Sequence, residues 1–153
     1  MKGSVQLVSG HPGKRLYLLD GSNIACFYGK NKADHTLILL AVDSILEYDA
    51  NAEIFVVVDA SLRHHVRDRQ EFEELLSSPF IRQVPAGTSA DYFIKNIAES
   101  FGDEANVIIV SNDLYRDMGM KNFLQAKFLL YNIAGKTGII FHPDLARLNP
   151  VLD

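Results

Sequence analysis

The segment RLYLLDGSN at residues 15–23 most narrowly limits what this chain can fold into. An apolar run without alternation stops at an aspartate and is followed at once by three small or polar residues. A strand carrying Leu16, Tyr17, Leu18 and Leu19 in succession must be covered on both faces, as parallel-sheet strands are when they lie between helical layers. Gly21, Ser22 and Asn23 end it, because glycine relaxes the backbone and serine and asparagine favour turns and helix caps. Asp20 is thereby delivered to the carboxyl rim of a sheet, where open α/β folds bind their ligands.

The same pattern recurs in EIFVVVD at 53–59 and NVIIV at 106–110, which predict two further buried strands. Between the first two strands, Leu37, Leu40, Ala41, Ile45 and Tyr48 follow helical spacing, so a helix is expected within 33–48. SLRHHVRDRQEFEELL at 61–76 reads as a basic loop leading into an amphipathic helix, and 80–85, between prolines, as a short strand near an edge. Gly87 and Thr88 open a helix through Ala90, Phe93, Ile94, Ile97, Ala98 and Phe101. Leu124, Phe128 and Tyr131 predict a last helix over 121–131, followed by a fifth strand at 138–142. Strands alternating with helices specify a three-layer α/β/α sandwich around a mostly parallel sheet, and right-handed crossovers give the order 3-2-1-4-5. Residues 1–14, with several glycines and a proline, read as a loosely held arm; 15–153 form the domain.

That order puts the switch point between strands one and four, so Asp20 faces the Ser111, Asn112, Asp113 run across the predicted crevice. Asp91, in the first turn of a helix starting on the same rim, and Asp117 complete a set of four aspartates. Crowded carboxylates resist ionisation unless a cation joins them, and magnesium, which takes one or two carboxylates and keeps waters, is the natural partner; manganese is the alternative. Such an ion activates water and neutralises charge on a phosphodiester, with Asn23 and Ser111 placed to hold water or phosphate. Arg63, Lys95 and Arg116 lie in or beyond elements that meet this rim and are expected to guide a phosphate backbone. Local structural roles compete with these readings. Asp91 could close a capping box with Thr88, and Asp59 reads as a turn residue off the switch point.

A formal charge of −4 on 153 residues excludes a protein that coats nucleic acid by charge alone, leaving a local cationic groove as the route to RNA. The single Cys26 excludes an internal disulfide and any multi-cysteine zinc module, and the histidines lack zinc-ligand spacing. No apolar run reaches a membrane span of ~20 residues and the polar start lacks a signal peptide's apolar core, so a cytoplasmic protein is expected. The sequence leaves assembly into a homo-oligomer open.

DGSNIA at 20–25, ADYFIKNIAES at 90–100 and VIIVSNDLYRD at 107–117 resemble the NYN-type PIN-like ribonuclease domain of the Zc3h12a (Regnase, MCPIP) family. FLQAKFLLYNI, followed by GIIFHPD, looks like that domain's closing helix and strand, so the resemblance spans roughly 15–145. It implies a magnesium-dependent endoribonuclease in which Asp20, Asp91, Asp113 and Asp117 match the family's acidic positions and Asn23 the asparagine of its first motif. Two departures stand out: Ala90 replaces the first of the family's paired aspartates, and one cysteine cannot supply the CCCH zinc finger of animal members. The competing class is a catalytically weakened RNA-binding or protein-interaction module of the same fold. A haloacid-dehalogenase-type phosphotransferase is disfavoured by Ser22, where that chemistry needs a second aspartate.

Overall fold

A computed structural model describes residues 15–101, 106–113, 127–134 and 138–142 of the chain. Strand β1 (Arg15–Asp20) is buried at every position, as its unbroken apolar run requires, and so is β2 (Glu53–Val58). With β3 (Ile81–Gln83), β4 (Asn106–Val110), β5 (Lys127–Ala134) and β6 (Gly138–His142) they form one sheet in the order β3-β2-β1-β4-β5-β6. Every pairing is parallel except that of β5 with β6. The strand at the centre, β1, aligns Asp20 with Val57 on one side and Leu19 with Val110 on the other.

Side chains alternate across the sheet, so each face has its own core. Tyr17, Leu19, Val56, Val58, Ile108 and Val110 pack with α2 (Thr36–Tyr48) and α3 (Arg69–Leu76). Leu16, Leu18, Phe55, Val57, Val107 and Ile109 pack with Ala90, Ile94 and Ala98 of α4 (Ala90–Phe101). This is the three-layer α/β/α sandwich expected from the sequence. A short helix, α1 (Gly21–Ala25), turns the chain directly off β1. Its closeness to β2 explains Gly21: a Cβ there would lie 2.6 Å from Val58 Cγ1 and 2.8 Å from Val56 Cγ1. Buried His35, just before α2, meets Glu71 of α3 at 3.0 Å and ties those two helices together.

The expected helix over 121–131 is corrected over 127–131, because Lys127–Ala134 is strand β5, and its first part at 121–126 lies outside the described residues. Its residues pair with both β4 and β6, and Tyr131 and Ile133 are buried while Asn132 between them is exposed. Backbone pairing on both sides and this two-residue alternation outweigh the coincidental helical spacing of Leu124, Phe128 and Tyr131. The strand at 138–142 is present, but it stands outside β5 and runs antiparallel to it rather than flanking β4. The expected arm at 1–14 lies outside the described residues. No helix among the described residues is long and apolar enough to cross a membrane.

Candidate active site at the sheet switch point

Each residue of the DGSN segment has a different task. Asp20 caps α1, its Oδ1 accepting the Asn23 amide at 3.1 Å. Its Oδ2 accepts the Ser111 hydroxyl at 3.2 Å, so the carboxylate bridges from β1 to the end of β4. Gly21 permits the close approach to β2. Ser22 Oγ accepts the amide of Asp59 at 2.8 Å, fixing the chain beyond β2. Asn23 Oδ1 accepts both the Asn112 amide at 3.0 Å and the Tyr131 hydroxyl at 2.6 Å.

The β4 end completes the network. Ser111 is fully buried, and its Oγ also accepts the Asp113 amide at 3.0 Å, which holds the SND turn against Asp20. Asn112 Oδ1 accepts the Tyr131 amide at 2.9 Å, anchoring the turn to β5 as well. Burial, with smaller contributions from the Asp20 and Cys26 charges, pushes the Tyr131 phenol well above the ordinary range, so it stays a neutral donor to Asn23. Burial likewise raises the Cys26 thiol, against a smaller lowering by the Lys30 charge and with lesser raising effects from Asp59 and Asp20. The result is a hydrogen-bonded crevice wall in which Asp20 is only 6% exposed while Asp113 is exposed beside it.

The remaining expected residues fare differently. Asp91 lies in the first turn of α4, partly exposed, and makes no hydrogen bond or ion pair among the described residues; the capping-box contact with Thr88 is not formed. The amides at the start of α4 are met by Asp59, whose Oδ1 accepts the Ala90 amide at 2.7 Å, and by Ser89, whose Oγ accepts the Tyr92 amide at 3.4 Å. Ala90 is 2% exposed with its methyl in the α4-side core, so an acid at this position would start from a buried backbone site. Arg63 is engaged with Glu73, its Nη2 donating at 3.2 Å and its Nε standing 3.1 Å from the second carboxylate oxygen. Lys95 pairs with Glu99 at 3.0 Å. Asp117 and Arg116 lie outside the described residues. Among the described residues no three His, Cys, Asp or Glu side chains come together as a metal-holding group. Tyr131, Asn112 and Asp59 were not read as site residues from sequence. Asn112, inside the SND run, and Asp59, at the end of an apolar run like that of Asp20, carried local signals; Tyr131 did not. Exposed Lys30 and Lys32, in the 3-10 turn that follows α1, have no ion-pair partner among the described residues.

Residues 13–144 match the family described as the Zc3h12a-like Ribonuclease NYN domain, a span that contains both sheet-rim motifs. The chain belongs to this family. No curated protein matches it. Among solved structures, this NYN domain resembles nuclear proteinaceous RNase P 2 (PRORP2) from A. thaliana, at 16% identity with a TM-score of 0.64. That match covers 82% of this chain and 29% of the other, so the chain spans under a third of that protein and the likeness concerns the fold alone. The PIN domain endonuclease Utp24 is a more distant neighbour, at 15% identity and TM-score 0.43 over 87% of this chain and 94% of that one.

Proposed function

We propose that the chain is a metal-dependent endoribonuclease that hydrolyses RNA phosphodiester bonds at the crevice between β1 and β4. The observation that carries this reading is the Asp20–Ser111–Asp113 connection, which holds two carboxylate-bearing residues on facing strand ends in a family of ribonuclease domains. Asp20 and Asp113 supply only oxygen donors, the chemistry magnesium prefers, and the Asp20 carboxylate is held in place by the Asn23 amide and the Ser111 hydroxyl. They are the residues proposed to hold Mg2+ or Mn2+, with Asp91 and Asp117 completing the acidic set. A bound ion would lower the pKa of water and offset charge developing on phosphorus.

The chain's own residues do the positioning. Ser111 orients the Asp20 carboxylate, Asn23 locks the two strand ends together, and Tyr131 keeps Asn23 in place. Lys30 and Lys32, next to α1, are the cations proposed to meet the backbone of single-stranded or structured RNA. The alternative of a binding-only module is less favoured, because the paired acids and their supporting bonds serve no evident purpose in binding an anion. The test is Asp20→Asn and Asp113→Asn against single-stranded RNA in Mg2+. Asparagine caps a helix about as well as aspartate, which spares α1 in Asp20→Asn, and Asp113 is exposed, so both proteins should keep their fold and thermal midpoint while cleavage falls by orders of magnitude. Near wild-type cleavage by either folded variant contradicts the assignment.

A further inference from the structure

Beside the catalytic crevice, on the β2 side, lies a cavity of about 480 Å³ between the turn that follows β2 and the loop that enters α4. Its wall carries Asp59, Ser61, His64, Gly87, Thr88 and Ser89. That volume falls within the range of small-molecule sites, roughly 300–1,000 Å³. Adjacent strands are about 4.8 Å apart, and β2 is the immediate neighbour of β1, so the cavity opens one strand's width from Asp20. The Asp59 amide on Ser22, two residues beyond Asp20, makes the two sites share a wall.

The chemistry of the wall selects the ligand. Asp59 spends Oδ1 on the Ala90 amide, and its second oxygen accepts no hydrogen bond among the described residues. The start of α4, which could have drawn an anion, is already occupied by this carboxylate, so a phosphate is repelled here. What suits the wall is a neutral, flat, polar group that donates N–H to one carboxylate oxygen and exchanges hydrogen bonds with hydroxyls and an imidazole. Resting on the RNA-cleavage reading above, we propose that this cavity is a nucleobase subsite for a nucleotide neighbouring the scissile phosphate, and that Asp59 makes it prefer bases with an exocyclic amine over uracil. Carboxylates accept from the cytosine amine in the same way in DNA readout. Uracil places a carbonyl oxygen where cytosine has that amine and would set it against the carboxylate.

Cytidine and uridine differ at that one ring substituent, so they are the probes. In metal-free solution, NMR titration of the full chain should shift the Ser61, His64, Gly87 and Ser89 amides, with cytidine binding roughly tenfold tighter than uridine, the worth of one charge-assisted hydrogen bond. Asp59→Asn is the decisive variant. Its carbonyl can keep the Ala90 cap while its NH2 replaces the second oxygen, so the preference should vanish or turn towards uridine. Equal affinities in the wild type, or an unchanged preference in folded Asp59→Asn, overturns the proposal. Should Asp59→Asn fail to fold, Ser61→Leu, at an exposed position, should abolish both nucleosides' shifts, and undiminished shifts overturn the proposal. The titration involves no cleavage. Cytidine preference in a protein that cleaves no RNA would count against the nuclease reading alone, and cleavage without preference against this subsite alone.

Discussion

Gly21→Ala tests whether the DGSN turn is shaped by close packing. The φ of Gly21 lies outside the left-handed region, so alanine meets no backbone strain and should gain about 0.4–1 kcal/mol by restricting the unfolded chain. Against this, its methyl would stand 2.6 and 2.8 Å from two buried valine carbons and 3.1 Å from the Val57 carbonyl. The carbonyl belongs to a central strand and cannot retreat, and overpacking of this kind typically costs about 1–3 kcal/mol. The expected net loss is about 1–2 kcal/mol, a fall in thermal midpoint of roughly 2–8 °C for a domain near this size. Urea denaturation of Gly21→Ala, Val58→Ala and the double variant would measure it. Removing Val58 Cγ1 should relieve the clash, giving a coupling of at least ~0.5 kcal/mol. A Gly21→Ala protein as stable as the wild type, or strictly additive effects, refutes the packing argument.

Tyr131→Phe removes a 2.6 Å hydrogen bond but leaves Asn23 Oδ1 its Asn112 partner, so a loss of about 0.5–1.5 kcal/mol is expected, read by the same denaturation. The Tyr17 and Tyr131 phenols and the Cys26 thiol are all raised by burial, so the folded protein keeps protons that the unfolded chain releases. Their effect is absent below the ordinary values of 9.0 for the thiol and 10.0 for the phenols, and stability falls as pH rises past them. Tyr131→Phe should flatten that alkaline decline in a series of melts, and an unchanged slope would contradict the burial argument. Lys30→Ala should reduce the salt slope of single-stranded RNA binding by ~0.7, whereas Arg63→Ala, already committed to Glu73, should leave it nearly unchanged. The reverse result would move the RNA path to the β2 loop.

How much of this was legible follows from which interactions are local. Strands β1, β2 and β4 announce themselves because a strand buried on both faces has no polar position to interrupt it, and their order follows from crossover handedness. β5 did not, because its apolar residues satisfy a helical template as well as a strand. The hairpin signal was there in FLLYNIA and GIIFH separated by Gly135, Lys136 and Thr137, two short apolar runs around a glycine-containing connection. At the site, Asp20 and Ser111 were readable as facing strand ends, since topology alone brings them together. The tasks of Ser22 and Asn23 were not, because their partners Asp59, Asn112 and Tyr131 are distant in sequence. The two cations Arg63 and Lys95 differ, because their partners are near in sequence. Lys95 and Glu99 stand four apart on one helix, a pairing helical spacing itself allows, whereas the turn of Arg63 towards Glu73 on the next helix shows only in the folded geometry.

The central claim, that this crevice cuts RNA internally with the help of a divalent ion, is tested most directly on a circular single-stranded RNA, which offers no end to an exonuclease. Purified protein in Mg2+ should convert the circle to linear molecules, EDTA should stop the reaction, and Asp20→Asn should leave the circle closed. A circle that stays intact with wild-type protein in both Mg2+ and Mn2+, or one that is opened equally well in EDTA, contradicts the account.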